Sequence, residues 1–111
     1  MDVYEIKNYT YYVFSSRNAW ADSVLLFHGD SGYLGAAFFY EADYTLPDAV
    51  KYPTGPVGLH YHRADLPILI DVLRNESPVY LIWDGGQNSR ISTTSEPVGE
   101  FEQAMLDAAG P

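Results

Sequence analysis

The sequence predicts an α+β fold: a mostly antiparallel sheet of about six strands, one central amphipathic helix near residues 65–75 and a short C-terminal helix. Three observations lead there. Short runs rich in aromatic and β-branched residues recur along the chain, glycine-containing turns separate several of them, and one segment alone carries a clear helical period.

The first expected strand is residues 9–14, Tyr-Thr-Tyr-Tyr-Val-Phe, closed by the polar Ser15-Ser16-Arg17-Asn18. Residues 24–28 and 33–40 flank Gly29-Asp30-Ser31-Gly32 and read as a hairpin around a turn that glycine permits. Between residues 41 and 56 the composition shifts to Asp, Pro, Thr and Gly, with Pro47, Pro53 and Pro56, which predicts an irregular surface connection long enough to carry function. Residues 57–62 alternate as another strand, and Asp65 offers an acceptor to cap the helix. In that helix Leu66, Leu69, Ile70 and Leu73 fall at i, i+3, i+4 and i+7, opposite Asp71, Arg74 and Asn75. Pro67 suits a first turn, and Ser77-Pro78 ends the helix. A strand at 79–83, a turn at 84–88 and a return strand at 90–94 follow, and a last helix is expected over 100–108, with Phe101 and Met105 on one face.

The strands alternate little in polarity. Residues 9–14, 33–40 and 79–83 place apolar or aromatic groups on both faces, so both faces need cover. One helix covers one face; the other calls for the sheet to fold over itself or for a second subunit, and a homodimer through a sheet face or edge is expected. Ten tyrosines fit an apolar surface that stays partly wet, although tyrosine also suits strands in general.

With 111 residues, one α+β domain over 1–111 is expected. The chain has no cysteine, which closes disulfide frameworks, thiolate nucleophiles and zinc sites built on Cys. Its start lacks a basic, apolar leader and no run approaches a membrane span, so a cytoplasmic protein without membrane contact is expected. Fifteen acidic against six basic residues give a formal charge of −9, which repels phosphate backbones and argues against nucleic-acid binding.

Among candidate sites, His60 and His62 are two apart on an expected strand and so share a face, where both imidazoles could approach one metal ion. His28 could add a third nitrogen, with Asp30, Asp65 or Asp84 supplying a carboxylate. The spacing His60-x-His62-x-x-Asp65 resembles a fragment of the metal motif of the cupin family, in which two strand histidines precede a glutamate. The chain departs from that pattern at Asp65, where the acid comes early and is an aspartate, and at Pro67, where a helical period begins. Gly29-Asp30-Ser31-Gly32 resembles the nucleophile segment of trypsin-like serine proteases, but it sits in a hairpin turn that asks for the same residue types. Tyr61, Trp83 and Asp84 are candidates for ligand or partner contact, and Trp20 could also line a pocket.

No motif names a substrate. The leading expectation is a non-enzymatic interaction or regulatory module that assembles through an aromatic-rich sheet, without a cofactor and with a possible protein partner. The alternative is a small enzyme or ligand-binding protein that uses a divalent metal ion at His60 and His62. An acidic inhibitor of a basic toxin or nuclease is a third reading that the charge permits.

Overall fold

Alternation at the start of the chain makes a strand that the expected element order lacked. In β1 (Asp2–Ile6), Tyr4 and Ile6 turn inward while Val3 and Glu5 face solvent. The computed structural model describes residues 1–16 and 21–95. Within them β1 pairs antiparallel with β7 (Val79–Trp83), which pairs in turn with β8 (Arg90–Thr93), forming a three-stranded sheet in the order β1-β7-β8. Past Lys7, whose N–H donates to the His28 carbonyl at 2.8 Å, the chain enters a second sheet as β2 (Asn8–Val13).

That second sheet has five strands in the order β2-β3-β4-β6-β5. The expected hairpin forms its centre: β3 (Ser23–Gly29) and β4 (Gly32–Tyr40) pair antiparallel, with Gly29 opposite Gly32 and a positive φ of 119° at Gly32 closing the turn. Phe27 faces Gly35 and His28 faces Tyr33, so Leu34 is an extra residue that bulges β4. β4 then pairs in parallel with β6 (Val57–His62), across a connection that contains the short edge strand β5 (Val50–Lys51).

The architecture is therefore mixed, with two sheets of three and five strands and one long helical segment, rather than one sheet of about six strands. Local strand signals do not encode which sheet a strand joins, and Lys7 is where the chain changes sheets. The helical segment is α1 (Leu66–Asn75), entered through a 3-10 turn, Arg63–Asp65. Asp65 does not cap it: its backbone is already helical at φ −84° and its side chain makes no capping bond, because helical geometry begins upstream. The turn at 84–88 is tighter than expected, a single helical turn, α2 (Gly85–Asn88). The C-terminal helix expected at 100–108 lies outside the described residues.

Both faces of the central strands are covered, as their composition demanded. On one face Leu25, Phe27, Ala37, Phe39, Val57 and Leu59 are buried against Ile6, Val79 and Leu81 of the smaller sheet and Leu69 of α1. On the other, Val24, Ala36 and Tyr40 are buried with Ala21, and Phe14, Leu26, Phe38 and Leu46 pack around them. Lys51 ties the two sheets at their edge: it pairs with Asp2, hydrogen-bonds the Tyr4 hydroxyl at 3.0 Å and lies over the Tyr4 ring.

Gly35 is where β4 and β6 approach most tightly. A Cβ there would run into the Val57 backbone, and its φ of 153° disfavours a side chain besides. Gly35→Ala is expected to lower unfolding stability by at least about 2 kcal/mol, as strain of this kind does. Urea denaturation measures it; a loss under about 0.5 kcal/mol, the range of ordinary surface changes, would contradict this contact.

Candidate functional site

Register decides which of the candidate residues meet. Phe38 is opposite His60 and Tyr40 opposite His62 in the β4–β6 pair, so both histidines lie on the face that carries Phe38 and Tyr40, as their spacing implied. Leu59 and Tyr61 turn to the opposite face. β4 thus supplies an aromatic bed for β6: His60 stacks on Phe38 with ring centres 5.6 Å apart, and on Tyr40 at 5.7 Å.

The tyrosines around these histidines were not singled out in the sequence. The Tyr40 hydroxyl and His60 Nδ1 share a hydrogen bond of 2.9 Å, and the Tyr44 ring lies on Tyr40 at 4.5 Å, nearly parallel. His62 Nε2 bonds the Tyr44 carbonyl at 2.9 Å. The connection after β4 is therefore held over the sheet by aromatic stacking and a histidine–backbone bond. Burial holds the His60 imidazole below its ordinary value, which favours the neutral ring that can accept the Tyr40 hydroxyl. Burial pushes the Tyr40 hydroxyl up, with Tyr44 and Tyr52 adding to the shift.

The three histidines do not gather. His28 is opposite Tyr33 near the start of β4, with its ring 5.8 Å from Tyr33, whereas His60 is opposite Phe38 near the other end. Among the described residues no cluster of three or more His, Asp or Glu is placed to hold a metal ion. Asp65 lies in the 3-10 turn, and Asp84 pairs with Arg90 at 3.6 Å while its N–H donates to Ser89 Oγ. Asp30 is in the β3–β4 turn.

Tyr61 and Trp83 pack against the inner core. The Tyr61 ring stacks on Phe39 at 5.7 Å, and its hydroxyl bonds the Ile91 backbone, so it joins β6 to the smaller sheet. Burial pushes that hydroxyl up. Trp20 lies outside the described residues.

One cleft borders these residues. β5 pairs β6 only at Val57 and Gly58, and the chain before β5 is drawn aside, with Ala49 N–H bonded to the Gly86 carbonyl of α2 at 2.8 Å. The gap left along β6 measures about 280 Å³ and is lined by Asp48, Leu59, His60, Tyr61, Gln87 and Ser89 among others. Its polar side chains are one carboxylate, one amide, one imidazole and two hydroxyls, a set that can hydrogen-bond a small polar ligand.

Comparison with protein-family models, curated proteins and solved structures finds no match. Among the described residues no helix is long and apolar enough to cross a membrane.

The sign of the His60 shift gives a pH dependence. A folded-state pKa lowered by burial means that the unfolded chain binds this proton first, so stability falls as pH drops below about 6.5. His60→Gln removes that titration and leaves the other two histidines in place. The urea midpoint of the wild type is expected to fall more than that of His60→Gln between about pH 7.5 and 5.5; equal falls would contradict the burial of His60.

Proposed function

We propose that the protein is a non-enzymatic interaction or regulatory module that assembles through its aromatic-rich sheet, with a homodimer as the basic assembly. The observation that carries this reading is the exposure of Tyr11 (42%), Tyr12 (48%) and Val13 (67%) on β2. Isolated exposed apolar residues are ordinary, but here Tyr11 and Val13 on one face and Tyr12 on the other leave both faces of one strand apolar and exposed, in a chain of formal charge −9 and with no charge on that strand, which suits a partner along it. Tyrosine fits such a surface because it loses little conformational freedom on burial and its hydroxyl tolerates water.

The histidines support the same reading. His60 spends a ring nitrogen on the Tyr40 hydroxyl of β4, and His62 spends one on the Tyr44 carbonyl, which holds the connection after β4 to the sheet; both are structural uses that need no metal. The second reading, a ligand-binding or metal-dependent protein centred on His60 and His62, draws on the cleft beside His60.

Light scattering and sedimentation distinguish the two. The wild type is expected to be a dimer, Tyr11→Ser/Tyr12→Ser to weaken association at least tenfold, about 1.4 kcal/mol, and His60→Ala/His62→Ala to associate as the wild type does. A monomeric wild type would overturn the assembly reading. Normal association by the tyrosine variant would remove β2 as its surface.

A further inference from the structure

We infer that the partner seated on β2 is the β2 strand of a second copy, paired antiparallel across a two-fold axis at Tyr11. This inference rests on the assembly reading and names its partner strand and register.

The hydrogen-bonding direction of β2 follows from its ladder. Phe14 N–H donates to the Asp22 carbonyl, in step with the β2–β3 register, so the alternate residues Tyr12, Thr10 and Asn8 direct their backbone groups at β3. Tyr9, Tyr11 and Val13 therefore direct their N–H and C=O groups away from it, on a side where no strand pairs among the described residues. β2 also lacks the features that protect free edges. It contains no charge and no proline, and the sheet's bulge lies in β4.

Three outward residues centred on Tyr11 are self-complementary. In a two-fold pair Tyr11 meets its own copy and Tyr9 meets the Val13 of the other strand, each as a doubly hydrogen-bonded pair, and facing residues keep the same face of the sheet. The same register brings each exposed Tyr11 against the other, and each Tyr12 against a Thr10, which are side-chain pairs that antiparallel strands favour. Centring the pair on Thr10 would leave Val13 without a partner residue in β2, and centring it on Tyr12 would leave Tyr9 without one. Two copies at −9 repel, and a strand without charge is where that repulsion costs least.

Tyr11→Pro tests this in the full chain. Proline removes an N–H that points away from β3, so the internal ladder survives and only the intermolecular bonds are lost. The expected result is a dimeric wild type and a folded, monomeric Tyr11→Pro. A folded Tyr11→Pro that remains dimeric overturns the Tyr11 register and leaves assembly through another part of the sheet. A monomeric wild type overturns both. Should Tyr11→Pro fail to fold, Tyr11→Cys decides: the chain has no other cysteine. A short bis-maleimide is expected to link Tyr11→Cys into a covalent dimer and to leave Val3→Cys, at an exposed position of β1, unlinked. Equal linking of the two, or none at Tyr11→Cys, overturns the pairing.

Discussion

The pairing of β4 with β6 is the contact on which the rest of the structure depends. β4 is buried on both faces over most of its length, and it reaches β6 closely enough at Gly35 and Val57 that only a glycine fits. Its antiparallel side holds the hairpin with β3, and its parallel side holds β6. Because β6 is pinned residue by residue to β4, Tyr61 is turned into the core against Phe39 while His60 and His62 are turned outward onto Phe38 and Tyr40. The two faces of β6 thereby do different work: one closes the core against the smaller sheet through the Tyr61 hydroxyl, and the other anchors the connection after β4.

The parts legible in the sequence were those set by neighbours in the chain. Gly29 and Gly32 bracket a turn, and the hairpin follows; Leu66, Leu69, Ile70 and Leu73 keep a helical period, and α1 follows. The low polar alternation of residues 33–40 correctly implied cover on both faces, although the chain itself supplies much of it through Phe14 and Leu46. What could not be read was long-range. The parallel β4–β6 pair and the change of sheets at Lys7 depend on contacts between distant residues. β1 was missed because Val3 faces solvent and obscures its period, and β5 because two residues give no pattern.

For the candidate site, spacing did place His60 and His62 on one face, which is a property of any strand. It could not show that their nitrogens are used by Tyr40 and Tyr44, nor that His28 lies toward the other end of the hairpin. Those facts move the centre of interest from the histidines to β2, where Tyr11, Tyr12 and Val13 are exposed. The proposed assembly would be linked to the fold physically, since the β2–β3 ladder that holds β2 in the sheet also decides which of its backbone groups remain for a partner.

Amide hydrogen exchange along β2, followed by NMR at dilute and high protein concentration, tests this link most directly. Pairing of β2 with its own copy predicts that Thr10 and Tyr12 are protected at every concentration, while Tyr9, Tyr11 and Val13 become protected only as the protein associates. Rapid exchange at Tyr9, Tyr11 and Val13 at all concentrations, beside slow exchange at Thr10 and Tyr12, would show a correctly folded edge that no second copy occupies.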